Sequence, residues 1–203
     1  MNLRKLQILS QRYQVVLLDL DRTLVDFDSV EYLANVATYI DELHRLSVKT
    51  AIVTNQGGPA CKHNGFKGNY PEVNDVLQRV WWVAGGLGIE QVYICWAYLS
   101  KDLVFYYPAM GTPPYMPKDD WKNEQSTWRK PEPGMLRQAA RDFKVMPQFI
   151  LMVGDSKSDQ EAAKNFGCDF QWHTSFSTGR NQKRTRRQGL KCRSSCRTGK
   201  GKP

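Results

Sequence analysis

Short apolar runs alternate along this chain with longer segments in which apolar residues recur every three or four positions. The runs predict buried strands at Val15–Leu20, Thr50–Val53, Val92–Trp96, Phe149–Val153 and, more briefly, Asp169–Trp172. The periodic segments predict helices at about Ser29–Leu46, Val73–Gly86, Pro133–Phe143 and Asp159–Phe166. This alternation favours an α/β fold with a central parallel sheet and helices on both faces.

One segment does not follow the alternation. Residues 103–128 are rich in Pro, Tyr, Asp and Lys, and the segment is too long for an unstructured connection in a compact domain. Its aromatic side chains either shape a substrate pocket or pack the segment onto the body, and the sequence leaves both interpretations open; they are Tyr106, Tyr107, Tyr115 and Trp121.

Charge divides the chain into two parts. The formal net charge is +9, yet residues 179–203 hold ten Lys or Arg and no acidic residue, so residues 1–178 carry 19 basic and 20 acidic side chains. We therefore expect one folded domain over residues 1–178, followed by a basic, disordered tail. Such a tail can make salt-sensitive, nonspecific contacts with nucleic acid, and it is equally well interpreted as a generic electrostatic appendage.

Targeting signals are not evident in the composition. No apolar stretch approaches the roughly 20 residues of a membrane span, and the start of the chain is polar rather than signal-like. The five cysteines are irregularly spaced, which argues against a disulfide framework. We therefore expect a cytoplasmic protein without membrane contacts, and the sequence does not indicate its oligomeric state.

Polar side chains that can carry phosphoryl chemistry follow the predicted strands. Asp19 lies at the end of the first predicted strand and Asp21 just past it, Thr54 follows the second strand and Asp155 follows the fourth. Ligands of parallel α/β sheets bind beyond the carboxyl ends of the strands, so these distant segments are expected to meet. Each residue alone is also compatible with a turn or a solvated loop, including Lys130 before Pro131. The combination favours a metal-assisted phosphoryl-transfer site.

Each of these residues has an expected role. Asp19 is the candidate nucleophile that forms an aspartyl-phosphate, and Asp21 the candidate acid and base. Asp19 and Asp155 could hold Mg²⁺, which prefers oxygen ligands. The remaining residues would bind the phosphoryl group, offset its charge or orient those that do: Thr54, Asn55, Lys130 and Asp159.

Four motifs in this order resemble those of the haloacid dehalogenase (HAD) superfamily. They are Asp19-Leu20-Asp21-Arg22-Thr23, Val53-Thr54-Asn55-Gln56, Arg129-Lys130-Pro131 with Pro133-Gly134-Met135-Leu136, and Val153-Gly154-Asp155 with Asp159. The second and third are similar to subfamily III, which includes histidinol-phosphate, heptose-bisphosphate and polynucleotide 3'-phosphatases. The resemblance implies a Rossmann-like three-layer sandwich, Mg²⁺ dependence and the backbone carbonyl of Asp21 as a further metal ligand. The short interval from Asp21 to Asn55 leaves no room for a large cap domain there.

One departure from these relatives concerns zinc. Some of them carry a zinc loop with Cys-x-His and Cys-x-Cys, and here only Cys95 matches a ligand position. Ala97, Ser126 and Trp128 occupy the others, so we expect no structural zinc.

The residues and motifs together favour a phosphatase that acts on a small sugar-type or metabolite phosphate. An open site and a basic tail also suit a nucleic-acid 3'-end phosphatase. A phosphotransferase or mutase would use the same aspartyl-phosphate. A non-catalytic phosphate-binding protein on the same scaffold is the remaining alternative, although it would not need both Asp19 and Asp21.

Overall fold

The main sheet contains five strands, all parallel. The structure, a computed structural model, describes residues 3–99, 103–105, 115–117 and 128–174. The strands in chain order are β1 (Val15–Leu18), β2 (Lys49–Asn55), β3 (Gln91–Cys95), β4 (Tyr98–Leu99), β5 (Leu103–Phe105), β6 (Tyr115–Pro117), β7 (Ile150–Gly154) and β8 (Asp169–Trp172). The main sheet has the order β3-β2-β1-β7-β8, which places β1 at its centre.

Helices cover both faces of the main sheet. They are α1 (Leu3–Arg12), α2 (Val36–Arg45), α3 (Gly58–His63), α4 (Val73–Gly86), α5 (Gly134–Phe143) and α6 (Lys157–Phe166). Because side chains alternate across a strand, Val16 and Leu18 face the core beneath α1, α2 and α4, whereas Val15 and Leu17 face α5 and α6. The predicted three-layer α/β fold is confirmed.

The first predicted helix begins seven residues later than expected. It was expected from about Ser29, but α2 starts at Val36, after Asn35 in the left-handed conformation at φ 66°. Upstream, Tyr32 pairs with Val25 in an isolated bridge, and its hydroxyl donates to the Val83 carbonyl at 3.3 Å. These tertiary contacts outweigh the helical periodicity of the segment.

Two further differences concern elements that the hydrophobic pattern did not predict. Helix α1 covers the edge of the core with its buried side chains Leu6 and Leu9. Within residues 103–128, the backbone of β5 pairs antiparallel with β4 and β6, so part of this segment is a small sheet. Tyr106, Tyr107, Trp121 and the proposed boundary at residue 179 lie outside the described residues.

The register of the strands places the carboxyl ends of β1, β2 and β7 beside one another. Leu18 of β1 lies beside Ile52 of β2 and Val153 of β7, so all three strands end at the same edge of the sheet. Between Asp21 and Asn55, the chain forms one helix and one strand of the core, and no room remains there for a cap. No helix in the described ranges is long and apolar enough to cross a membrane.

Candidate active site

Asp19, Thr54 and Asp155 meet at the aligned ends of β1, β2 and β7. The backbone N–H of Asp19 donates to the Val153 carbonyl at 2.9 Å, which continues the β1–β7 pairing by one residue. Asp19 and Thr54 are both buried, and Asp155 is half-buried. All three line a cavity of about 200 Å³, together with Asp21, Arg22, Phe27, Asn55, Lys130, Ser156, Ser158 and Asp159. The structure therefore brings together every residue predicted for the site.

Lys130 lies at the floor of this cavity and is only 3% exposed. Its ammonium donates to Asp19 Oδ1 at 2.6 Å and to the Val53 carbonyl at 2.8 Å, and it forms an ion pair with Asp159 Oδ1 at 2.6 Å. Two of these contacts are hydrogen bonds and the third is an ion pair, so the ammonium has a polar partner on three sides. The interpretation of Lys130 as a solvated loop residue is therefore wrong.

Asn55 fixes the backbone at Lys130. Its side-chain amide donates to the Lys130 carbonyl at 3.0 Å, and its side-chain oxygen accepts the Lys130 N–H at 3.1 Å. The pair of bonds joins β2 to the turn that carries the lysine. The side chain predicted to bind phosphate thus also positions Lys130.

Asp159 connects the lysine to the start of α6. Its Oδ2 accepts a hydrogen bond from the backbone N–H of Ser156 at 3.0 Å, and the Asp159 N–H donates to the Ser156 hydroxyl oxygen at 3.3 Å; these two bonds form a capping box. Its other oxygen contacts Lys130. Asp159 thus caps α6 through one oxygen and forms an ion pair with Lys130 through the other, a placement from which it could orient the lysine.

Gly154 provides the space for Asp159. A Cβ atom added at Gly154 would lie 2.5 Å from the Asp159 Cβ, Cγ and Oδ2 atoms, a separation at which one of the groups has to move. The glycine is therefore required by close packing at the end of β7, and its backbone is not in the left-handed region.

Gly154→Ala is expected to lower the free energy of unfolding by about 1–3 kcal/mol, the usual effect of overpacking a buried site. Chemical denaturation would measure it. Gly85→Ala is the matched control, because nothing lies within 4 Å of a Cβ at this exposed helical position. That variant is expected to gain roughly 0.5–1 kcal/mol. Equal stability of Gly154→Ala and the wild type would contradict the packing argument.

Asp21 is held by two residues that were not predicted for the site. Arg79 of α4 donates to Asp21 Oδ1 at 2.7 Å and to Oδ2 at 3.0 Å, and the Gln56 amide donates to Oδ2 at 2.9 Å. Burial raises the pKa of Asp21, but the hydrogen bonds and charge of Arg79 outweigh burial, so the pKa lies below its ordinary value. Gln56 belongs to the second motif, and Arg79 is a charged residue beside the buried stripe of α4.

Thr54 presents a hydroxyl group to the cavity. The side chain is 1% exposed, and its Oγ1 accepts a hydrogen bond from Gln56 Nε2 at 2.9 Å. Since the oxygen accepts this bond, the O–H remains able to donate to a bound anion. A negatively charged phosphoryl oxygen could accept this hydrogen bond.

Negative charge exceeds positive charge at the cavity floor. One carboxylate oxygen from each of Asp19, Asp155 and Asp159 lies within 4.8 Å of the other two, with Lys130 as the buried cation among them. Burial raises the pKa of Asp19 to about 7, with neighbouring Asp159 and Asp155 adding to the rise and Lys130 opposing it. Burial and Asp159 also raise the pKa of Asp155. A divalent cation would relieve this repulsion, and the cluster of Asp19, Asp155 and Asp159 could hold one.

The chain is similar to known proteins in sequence. The HAD-hydrolase-like family model matches residues 127–188. D-glycero-beta-D-manno-heptose-1,7-bisphosphate 7-phosphatase of Haemophilus influenzae is 29% identical over 156 residues, which cover 73% of this chain and 74% of that protein. The corresponding D-glycero-D-manno-heptose enzyme of Thermosynechococcus vestitus is 26% identical over 141 residues, or 70% of this chain and 65% of that protein.

A solved structure agrees in fold. The D,D-heptose 1,7-bisphosphate phosphatase of B. bronchiseptica, complexed with magnesium and phosphate, matches with a TM-score of 0.53 at 19% identity, covering 77% of this chain and 78% of the other. At this identity the likeness concerns the fold alone. The partial family match, the relatives and the arrangement of the four motifs support a hydrolase of the haloacid dehalogenase superfamily.

Proposed function

We propose that this protein is a Mg²⁺-dependent phosphomonoesterase that acts on a small sugar phosphate through an aspartyl-phosphate intermediate. The observation that carries the proposal is the placement of Asp19. Its carboxylate lies at the floor of a cavity of about 200 Å³, beside the ammonium of Lys130 and the carboxylate of Asp155. The heptose-bisphosphate phosphatases to which the chain is similar support the sugar-phosphate class.

The reaction has two halves. In the first, an Asp19 oxygen bonds to phosphorus as the ester bond breaks, and Asp21, which has to bind a proton beforehand because Arg79 lowers its pKa, gives that proton to the departing sugar oxygen. In the second, Asp21 takes a proton from water, whose oxygen bonds to phosphorus and frees the Asp19 carboxylate. Thr54 donates to a phosphoryl oxygen, and Lys130 offsets the charge of the phosphoryl group and of Asp19. A magnesium ion held by Asp19, Asp155 and the Asp21 carbonyl would supply further positive charge to the transferred group.

The residues proposed for the reaction all lie in one part of the chain. Every residue named for the reaction lies between Asp19 and Asp159, within the proposed domain of residues 1–178. The basic segment 179–203 contributes none of them. We therefore assign the chemistry to the domain and regard the basic segment as an electrostatic appendage.

Removal of divalent metal is expected to lower phosphate release by roughly 100-fold or more, because an uncompensated carboxylate cluster repels the phosphate dianion. The measurement is release of inorganic phosphate from sugar phosphates, nucleotides and 3'-phosphorylated oligonucleotides, with EDTA and after Mg²⁺ is restored. Asp155→Asn should require a higher Mg²⁺ concentration for half-maximal rate. Asp41→Asn, at an exposed position of α2, is the charge-matched control and should behave as wild type.

Different outcomes separate the alternatives. Release from oligonucleotides alone would replace the sugar-phosphate proposal with a nucleic-acid end phosphatase. Phosphate transfer to added alcohols or sugars in place of release would identify a phosphotransferase. If the folded protein binds Mg²⁺ but releases phosphate from no substrate, a non-catalytic phosphate-binding protein is the alternative that remains.

A further inference from the structure

Two buried polar atoms near the active site have no hydrogen-bond partner within the described residues. They are the hydroxyl oxygen Oγ1 of Thr23 and the ring nitrogen Nδ1 of His173. A third atom of this kind, Asp159 Oδ1, is paired with the Lys130 ammonium. A buried hydroxyl or ring nitrogen without a partner is costly, because it gives up its hydrogen bonds to water and gains none. Thr23 and His173 are therefore the two groups that still need a partner.

Thr23 and His173 line the same small cavity, which is separate from the cavity of the active site. The space open to the centre of a water molecule is about 10 Å³. A single water needs roughly 10–15 Å³ by this measure, together with two to four polar partners. Apart from Tyr39, the other lining side chains are aliphatic and come from β1, the turn after it, α2 and β7: Leu18, Leu24, Val36, Ile40 and Val153. The cavity thus has the size for one water and at least two groups that can bind it.

The chemistry of the lining decides whether a cavity of this size is filled. Purely aliphatic cavities stay dry, whereas cavities with buried polar atoms hold ordered water. The Thr23 hydroxyl can donate and accept, and His173 Nδ1 does one or the other, depending on the tautomer of the ring. Because a water molecule both donates and accepts, one water can satisfy Thr23 and His173 with either tautomer.

Thr23 belongs to the turn that carries Asp21. In this turn the Arg22 N–H donates to the Val25 carbonyl at 2.7 Å, and the Thr23 N–H donates to the Leu20 carbonyl at 3.4 Å. The Thr23 residue is only 5% exposed. A group that binds the Thr23 hydroxyl therefore helps to fix the position of the turn from inside the protein.

His173 follows β8 and is connected with the end of β7. Its backbone N–H donates to the Gly154 carbonyl at 2.9 Å, one residue before Asp155. Burial lowers the pKa of His173 and the charge of Asp155 opposes this change, so the ring lies within electrostatic reach of that carboxylate. A group that binds the His173 ring is thus linked to the strand end that carries Asp155.

We propose that Thr23 and His173 bind one buried water molecule, which joins the turn that carries Asp21 to the end of β7 that carries Asp155. A consequence rests on the proposed function, in which Asp155 and the Asp21 carbonyl hold Mg²⁺. By fixing these two segments relative to each other, Thr23 and His173 act as positioning residues for the metal ligands, although neither of them contacts the metal.

A high-resolution crystal structure of the full-length protein tests the water itself. The density should show one water within about 2.7–3.2 Å of both Thr23 Oγ1 and His173 Nδ1. In Thr23→Val, which keeps the shape of the side chain without its hydroxyl, this density should be weak or absent. A wild-type cavity without density, or a direct hydrogen bond between Thr23 and His173, would overturn the inference.

Thermal unfolding of single and double variants tests whether the two residues share this water. Thr23→Val and His173→Phe should each lower the Tm by roughly 2–10 °C, because each leaves the other polar group without its full set of bonds. The double variant should lose less than the sum, since no unpaired polar group then remains. Thr38→Val, the same change at an exposed position of α2, should shift the Tm by less than about 2 °C. Additive losses would contradict a shared water.

Calorimetric titration with Mg²⁺ tests the positioning role. Thr23→Val should raise the dissociation constant for Mg²⁺ by roughly 3- to 10-fold, less than the loss of a group that contacts a ligand directly. Thr23→Ser keeps the hydroxyl and should restore most of the affinity, and Thr38→Val should not change it. A Thr23→Val variant with a lower Tm but unchanged Mg²⁺ affinity would overturn the positioning role. A wild type that binds no Mg²⁺ would instead remove the metal site of the proposed function, while the crystal structure and the double variant would still decide the water site.

Discussion

Asp19→Asn is expected to lower the rate of phosphate release by at least about 10⁴-fold, because an amide oxygen cannot form the phosphoenzyme. The substituted side chain has nearly the same shape, and its oxygen can still accept the hydrogen bond from Lys130. The loss should therefore appear in kcat at saturating substrate and Mg²⁺. Phosphate release over hours at high enzyme concentration is the measurement.

The stability of Asp19→Asn shows whether its loss of activity comes from the missing nucleophile or from damage to the fold. Asp19→Asn removes one of three crowded carboxylates, so the midpoint of chemical denaturation should not fall below that of the wild type. An inactive but stable Asp19→Asn variant would support Asp19 as the nucleophile. A variant that retains more than a few per cent of the wild-type rate would exclude Asp19 from that role.

Lys130→Met is expected to lower the free energy of unfolding by about 3–5 kcal/mol, the range seen when one partner of a buried ion pair is removed. The reason is that Asp19 and Asp159 would both lose their buried counter-charge. The same change should abolish phosphate release. Chemical denaturation, followed by the tryptophan fluorescence of the protein, would give the stability.

A compensating variant makes this prediction sharper. Lys130→Met with Asp159→Asn removes a negative charge together with the positive one, and an asparagine oxygen can still accept the Ser156 N–H. The double variant should be more stable than Lys130→Met alone, and still inactive. Lys144→Met, at an exposed position, should stay within about 0.5 kcal/mol of the wild type. A double variant no more stable than Lys130→Met would contradict the charge argument.

The sequence predicted the parts of this molecule that depend on local pattern. Buried parallel strands read as continuous apolar runs, so β1, β2, β3 and β7 were found within one or two residues. Residues directly after such strands must lie at one edge of the sheet. For that reason Asp19, Thr54 and Asp155 could be placed together from the order of apolar and polar residues alone.

What escaped prediction depends on contacts across the fold. Arg79 reaches Asp21 only because α4 packs beside the turn after β1. The sequence around Arg79 does not indicate this contact. Residues 29–35 have helical periodicity, but Tyr32 instead packs against the end of α4, where its hydroxyl occupies the space that a Cβ at Gly86 would need. Local pattern carries no information on either packing.

The central position of β1 has a consequence for synthesis of the protein on the ribosome. Val15–Leu18 is fully apolar, and one of its two partners, β7, follows it by more than 130 residues. Until Ile150–Gly154 has left the ribosomal tunnel, one edge of this fully buried strand stays unpaired, which is a hazard for aggregation. The apolar surface of β1 therefore stays open to wrong strand pairing for as long as translation takes to go from β1 to β7.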